Sequence, residues 1–413
     1  MLTRPRPWSL GHPLWMCGFR SFFLFTILWA PLIVLLWAAF LNWGIPLPDV
    51  AGGPFIWHAH ELLFGFGLAA VAGFVLTAIP EFTSSPRIRP HAVRLLASCW
   101  LAGRVAFWLS GAVGAAAVVV SAVAHLALLG GLIFMLASRI WRHPERRHLS
   151  FLWALIVLTI LVAGFYRDAL TEGHPGRWLS ATLGVFMILI VIAMSRISMR
   201  IVNAAIDAFR EKGGGAGVEY RARPPRRNLA IVCIALYTGV EFFAPGAPIG
   251  GWLALAAAAA LFNLLNDWHV GRPLFRRWPL MLYAVYVLMA TGYGLMGLAL
   301  LTDGVAFSAG RHLLTVGALG LGIFTVICIA GRNHAGYPLD ERPWIPVAAA
   351  LLVGAALLRA VGGWGGGHAL AWMTAASLAW TLSFVLCAHY LGKLFARPRT
   401  DGGGGCEGPR SSA

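Results

Sequence analysis

The sequence predicts an all-α polytopic membrane protein with about twelve transmembrane helices and both termini in the cytoplasm. Three observations support this fold class. The 413 residues are 59% hydrophobic and only 12% charged, whereas soluble domains carry roughly 25% charge. Apolar runs of about 20 residues, the length that spans a bilayer, recur along the whole chain. Basic residues crowd into alternate loops between these runs.

Twelve apolar runs are long enough to span a bilayer. Helix is the expected conformation, because a segment that faces lipid must satisfy its own backbone hydrogen bonds. The third and fourth runs are joined only by Ser110 and Gly111. The predicted spans are roughly 19–41, 58–80, 92–109, 111–140, 150–166, 179–199, 228–244, 250–268, 279–301, 312–331, 344–361 and 368–395.

The distribution of basic residues predicts the orientation. If successive loops are assigned to alternate faces, 27 of the 32 Lys and Arg residues fall on the face that carries the N-terminus. Cytoplasmic loops of membrane proteins hold such an excess, so this face is predicted to be cytoplasmic. The net charge of +16 is therefore interpreted as a topology signal, and no nucleic-acid partner is expected.

The chain is predicted to form a single integral membrane domain, residues 1–413. A stretch rich in Gly, Pro and Arg at 203–228 predicts a cytoplasmic linker. It separates the first six spans, 1–202, from the last six, 229–398. The Gly-rich residues 399–413 predict a flexible tail. The six cysteines are scattered without a CxxC motif, so most are predicted to be small apolar packing residues.

Histidines on the predicted outer face are candidate metal ligands. His58 and His60 open the second span and His312 opens the tenth, each above an apolar helix surface. Imidazoles carried by two helices can ligate haem iron or copper. On one helix His58 and His60 point about 200° apart, so both ligate one metal only if His58 precedes the helix. Interfacial polarity is the alternative interpretation of these residues.

Other polar residues are candidates for supporting roles. Glu61, in the first turn, is able to orient a ligand imidazole, and Arg311 is able to pair with a carboxylate or a propionate. His125 and His389 lie deep in spans and are predicted to be structural. The remaining candidates are His174, His334 and His368.

Three stretches resemble the NnrS family of bacterial membrane proteins. They are HAHELLFGFGLAAVAGFVLTAIP at 58–80, RHLLTVGALGLGIFTVICIAGRNHAGYPL at 311–339 and YLGKLFARPRTDGGGG at 390–405. By position, the first family motif includes His58, His60 and Glu61. The second includes His312, and the loop after it includes His334.

The resemblance implies a function and a location. It implies bound haem and copper, and a role in binding nitric oxide or tolerating nitrosative stress, linked to denitrification. It also implies a bacterial inner membrane protein whose partners are the lipid bilayer, a small apolar gas such as nitric oxide, and an electron donor. The sequence leaves enzymatic activity open, because no catalytic residues can be assigned.

A secondary transporter of a metal, a haem-related compound or an anion is the alternative function. Twelve spans in a six-plus-six arrangement are a common carrier layout. Two features count against it: the predicted bilayer midplane is poor in paired charges, and the two halves show no evident sequence repeat.

Overall fold

The computed structural model describes residues 9–144, 148–214, 219–399, 401–403 and 406, and these residues form helices and connecting turns without a strand. Each of the twelve predicted spans overlaps one long helix. In chain order the helices are α1 Gly18–Trp43, α2 Gly53–Phe82, α3 Pro90–Trp108, α4 Ala115–Arg142, α5 Leu149–Leu170, α6 Pro175–Arg210, α7 Pro224–Phe243, α8 Pro248–Leu265, α9 Arg277–Leu301, α10 Phe307–His334, α11 Trp344–Gly362 and α12 Ala369–Phe395.

Ten of the helices in the described part of the chain are long and apolar enough to cross a membrane, which confirms the all-α polytopic fold class. The exceptions are α3 and α7. Helix α3 contains Arg94 and Arg104, and α7 begins with basic and polar residues that include Arg227 and Asn228. The total of twelve spans and the cytoplasmic location of the termini stay predictions.

The helices form two compact units whose segments alternate along the chain. Unit 1 consists of Met1–Thr182, Val326–Arg342 and Phe384–Ala413, and therefore contains α1 to α5, the start of α6 and the ends of α10 and α12. Unit 2 consists of Leu183–Thr325 and Pro343–Ser383. These two units follow from the packing of the helices. The division of the sequence into six plus six spans stays a prediction.

The predicted linker at 203–228 is shorter in the structure, because α6 continues to Arg210 and α7 begins at Pro224. The Ala-rich start of the linker favours helix, and proline is suited to the first position of the next helix. In the described part of the connection, Tyr220 packs against α6. The Asn203 side chain accepts from the backbone N–H of Tyr220 at 2.8 Å and donates to its carbonyl oxygen at 3.0 Å.

Two cysteines depart from the prediction that most act as packing residues. Cys17 and Cys406 form a disulfide with a Cα–Cα distance of 5.5 Å, so described residues of the predicted flexible tail are held to the start of α1. The partners are 389 positions apart, and no spacing rule connects residues so distant. The other four cysteines are free.

Candidate functional site

Helices α2 and α10 share a local architecture. In α2 an α-helical turn ends at His60 and a seven-residue π-helical segment, Glu61–Gly67, follows. In α10 the first turn ends at His312 and a seven-residue π-helical segment, Leu313–Leu319, follows. Each π segment continues into 15 residues of α-helix. The two candidate ligands that the sequence singles out thus occupy the same structural position.

These two helices are also the most buried of the ten apolar ones that the structure describes. In each, 83% of the most apolar stretch is buried, against 33–78% in the others. A π segment widens the helix locally and occurs mostly at functional sites. It also changes the backbone hydrogen bonding, and in α2 the indole of Trp100 donates to the carbonyl oxygen of Gly65 at 3.0 Å. Helices α2 and α10 therefore each combine a buried position, an irregular backbone and an imidazole side chain.

In unit 1 the π segment begins with a carboxylate that is fully buried. Glu61 accepts hydrogen bonds from Nδ1 of His60 at 2.9 Å, from the Trp29 indole at 3.2 Å and from the Arg104 guanidinium at 3.3 Å. Arg104 is 1% exposed. An isolated charge at this depth is costly. Pairing Arg104 with Glu61 reduces this cost, because the pair is neutral overall and hydrogen-bonded. The contact to His60 is the one by which a carboxylate orients an imidazole.

The opposite nitrogen of His60 connects to two further buried groups. Its Nε2 lies 3.0 Å from the Tyr166 hydroxyl, which lies 2.6 Å from Nδ1 of His125. Nε2 of His125 in turn contacts the Arg104 guanidinium. Arg104, His125, Tyr166, His60 and Glu61 therefore close a ring of hydrogen bonds, which we call the polar ring. It is drawn from helices α2, α3, α4 and α5.

The chemistry of its end groups fixes the direction of every hydrogen bond in the polar ring. A guanidinium only donates and a carboxylate only accepts. His125 therefore presents its lone pair to Arg104 and donates from Nδ1 to Tyr166. Tyr166 donates to Nε2 of His60, and His60 donates from Nδ1 to Glu61. Both histidines are neutral in this assignment, which is inferred from the heavy-atom contacts.

Aromatic side chains enclose the polar ring. The His60 imidazole stacks on Phe107 with a centroid distance of 3.5 Å and lies 5.1 Å from Phe64. Gly65 allows the close approach of α1, since a Cβ at this position would stand 2.5 Å from the Trp29 indole nitrogen. The surroundings are thus apolar and close-packed, which strengthens the hydrogen bonds inside them.

In unit 2, His312 has a simpler environment. Its Nδ1 lies 2.7 Å from the carbonyl oxygen of Ser308, one turn earlier in α10. Because a carbonyl only accepts, Nδ1 carries the proton and Nε2 carries the lone pair. A backbone carbonyl on one imidazole nitrogen is the usual support of a metal-ligating histidine. Arg311 beside it is exposed and stacks on Phe307, with its guanidinium carbon 4.9 Å from the ring centroid.

The other residues singled out from the sequence lie elsewhere. His58 is half-buried on α2 and stacks on Trp37 at a centroid distance of 4.3 Å. His174 and His368 are exposed in turns. His334 ends α10 and is bound to the C-terminal segment. The structure gathers His60 and Glu61 into the polar ring, and none of these four histidines joins it.

For three members of the polar ring the sequence predicts no role in a site, and one of them, His125, is predicted to be structural. Tyr166 carried no signal, since tyrosine near a helix end is common at membrane interfaces. Arg104 and His125 carried one, because an ionisable side chain within an apolar run is a functional candidate by itself. Reading those two against Glu61 as a charge partner would have indicated the cluster.

The donor atoms allow a test of whether a metal group fits. No group of three or more His, Cys, Asp or Glu side chains is arranged to hold an ion in the part of the chain that the structure describes. At His60 the Tyr166 hydroxyl stands where a metal would bind Nε2, so a haem does not fit there in this packing. At His312 the Ser308 carbonyl oxygen pairs with Nδ1, which is the support that a metal-ligating histidine usually has.

The family model described as NnrS protein matches residues 13–399, which is nearly the whole chain. No curated protein matches the sequence. The extent of the family match agrees with the resemblance of the three motifs. The chain therefore belongs to the NnrS family.

Proposed function

We propose that this protein is a haem- and copper-binding protein of the bacterial inner membrane that binds nitric oxide or protects against nitrosative stress. Membership in the NnrS family supports a membrane protein of the nitric oxide response in general. The finer assignment is supported by one observation above all. His60 and His312 each end an α-helical turn directly before a buried π-helical segment.

We assign His312 as a metal ligand through Nε2. Ser308 fixes the imidazole orientation and keeps the proton on Nδ1, so the coordinating nitrogen is ready in its neutral form. When bound, haem iron or copper would supply a coordination position for nitric oxide. His58 stays a proposed ligand, but not of the same metal as His60, because both lie in one helix that begins at Gly53. His60 is a ligand only if the Tyr166 hydroxyl moves from Nε2.

The polar ring has a separate role in this proposal. Its hydrogen bonds hold His60 between Glu61 and Tyr166, so the imidazole can exchange a proton with either neighbour without solvent. The apolar surroundings admit a small neutral gas from the bilayer. Electrons, where turnover needs them, would come from a partner protein.

The test is metal analysis and an absorption spectrum of detergent-purified protein from cells supplied with iron, a haem precursor and copper. We expect a Soret band and bound copper. His312→Ala should remove or shift the band, or remove the copper, while His269→Ala, at an exposed turn of unit 2, should change neither. Colourless protein free of iron and copper would contradict the proposal, as would a His312→Ala variant with unchanged metal content.

A secondary transporter remains the second candidate, and the shared architecture of α2 and α10 favours it. Carriers are commonly built from internal repeats with irregular helices at the substrate site. Accumulation of a metal, a haem-related compound or an anion in vesicles that contain colourless protein would support transport. Bound chromophore without accumulation would support the metal-binding function.

A further inference from the structure

The disulfide between Cys17 and Cys406 lies at an end of unit 1 far from the polar ring. Cys17 immediately precedes α1 and is 1% exposed, and Cys406 is 9% exposed. The bond joins the beginning of the helical bundle to a segment beyond its last helix. It is the only disulfide among the described residues.

The bonded cysteines contact the ends of both helices that carry π segments. The sulfur of Cys17 lies 3.6 Å from the hydroxyl oxygen of Thr77, in the last part of α2. The carbonyl oxygen of Cys406 accepts a hydrogen bond from Nδ1 of His334, the last residue of α10, at 2.7 Å. Nε2 of His334 lies 3.4 Å from the carboxylate of Glu81, which is also on α2. One covalent bond thus connects three helix ends of unit 1.

Further hydrogen bonds join α12 and the segment after it to the ends of α1 and α10. The fully buried Arg20 donates to the carbonyl oxygens of Leu394 and Phe395, both at 3.2 Å. Arg399 donates to the carbonyl oxygen of His334 at 3.1 Å and pairs with Asp401. Hydrogen bonds from Arg399 hold the pKa of the Asp401 carboxyl well below its ordinary value, so this pair persists at physiological pH.

The charge around the disulfide indicates its compartment. Arg20, Arg332, Arg397 and Arg399 lie at this end of unit 1, on the face that carries the excess of basic residues. The positive-inside rule assigns that face to the cytoplasm. Cytosolic disulfides are usually transient and redox-sensing, because the cytosol keeps thiols reduced. A disulfide on this face is therefore suited to regulation.

We propose that Cys17 and Cys406 form a reversible redox latch that fastens the C-terminal segment to the cytoplasmic ends of α2 and α10. This inference rests on the proposed function, since the latched helices carry His60 and His312. The oxidised state is the one in the structure. In the reduced state Cys406 is released, and its contact with His334 is lost.

The chemistry is thiol–disulfide exchange with a cytosolic dithiol reductant. A thiolate of the reductant attacks the sulfur of Cys406, the more exposed of the two residues, and the bond to Cys17 breaks. The second thiolate of the reductant then attacks the mixed disulfide and frees Cys406. Two electrons and two protons pass to the cysteines, and the reductant leaves as a disulfide. A low-molecular-weight disulfide such as oxidised glutathione closes the latch by the reverse exchange, releasing two thiols.

The first experiment counts reactive thiols on the full-length protein in isolated membranes. After treatment with dithiothreitol, a maleimide mass tag should label two more cysteines than before, and oxidised glutathione should remove those two. The double variant Cys17→Ser/Cys406→Ser should show no change, and Cys99→Ser, at a free cysteine, should respond as the wild type does. Equal labelling before and after reduction, or a bond that resists dithiothreitol in membranes, would overturn the proposal.

The second experiment measures release of the C-terminal segment. Trypsin should cleave after Arg399 at least tenfold faster in reduced wild type, and in Cys406→Ser, than in oxidised wild type. Equal rates would contradict a latch. Thiol labelling and cleavage require no bound metal, so they stand even where metal analysis refutes the proposed function. A periplasmic location of the C-terminus would refute the latch alone.

Discussion

The hydroxyl oxygen of Tyr166 lies 3.0 Å from Nε2 of His60, and it occupies the coordination side of that imidazole. Tyr166→Phe removes the group that also faces His125. Each buried group left without a partner costs about 1–3 kcal/mol, so we expect a clear drop in the free energy of unfolding. Thermal unfolding in detergent measures this free energy.

Tyr237→Phe is the matched control, because that buried hydroxyl has no hydrogen-bond partner in the described chain. An equal loss of stability in both variants would contradict the polar ring.

The buried pair of Glu61 and Arg104 should show strong energetic coupling. Glu61→Gln leaves the guanidinium without its carboxylate, and breaking a buried pair in this way costs about 3–5 kcal/mol. The double variant Glu61→Gln/Arg104→Gln should lose less stability than the sum of the single variants. Denaturation of all four proteins tests this, and additive losses would exclude the coupling.

A second ion pair provides the comparison for that cycle. Arg177 pairs with Asp168 at 3.0 Å, but the Arg177 side chain is 42% exposed. Solvent screens such a pair, so Arg177→Gln should change the free energy of unfolding by no more than about 1 kcal/mol. If Arg177→Gln lost as much free energy of unfolding as Glu61→Gln, burial would not explain why one ion pair stabilises the protein more than the other.

Close packing at Gly65 should make this position intolerant of any side chain. In Gly65→Ala the new Cβ would meet the Trp29 indole, which donates to Glu61. Trp29 must shift, so the melting temperature should fall and the hydrogen bond from Trp29 to Glu61 in the polar ring should weaken. Gly130→Ala is the control, since nothing lies within 4 Å of its Cβ position in α4. There alanine should raise helix stability by up to about 1 kcal/mol. Equal effects on melting temperature would contradict the packing argument.

The twelve-span topology can be checked with reporter fusions. Green fluorescent protein is fluorescent when fused to a cytoplasmic end, and alkaline phosphatase is active only in the periplasm. We expect fluorescent fusions at residue 143, at residue 213 and at the C-terminus, and active phosphatase fusions at residues 172 and 245. The fusions at 143 and 245 test α3 and α7, the two helices that are long enough to span but are less apolar than the other ten. A reversed pattern at either site would show that its helix does not cross.

The sequence predicts the positions of the helices well, because each one needs an apolar run whose length the bilayer sets. It also predicts that His60 and Glu61 belong together, since they are adjacent on one helix. It does not predict the π-helical segments. Their seven residues after His60 and after His312 share only a leucine two positions and a glycine five positions beyond the histidine, and backbone hydrogen-bond shifts follow from packing rather than from residue type.

The polar ring and the disulfide were beyond prediction for a related reason. Tyr166 and His125 meet His60 because α4 and α5 pack against α2, and a single sequence does not give the rotation of one helix against another. Arg104 lies within the predicted span 92–109, but its pairing with Glu61 depends on how α3 packs against α2. Cys17 and Cys406 pair across the length of the chain, where no local pattern reports contact.

Arg20 has a consequence for how the protein is made. Its guanidinium is fully buried, and an acceptor that it requires, the carbonyl oxygen of Leu394, lies 374 positions later in the chain. A buried guanidinium without partners is strongly unfavourable, so this end of α1 stays hydrated during most of translation. The start of α1 is therefore among the last parts of unit 1 to settle, because it waits for a segment that is synthesised 374 positions later.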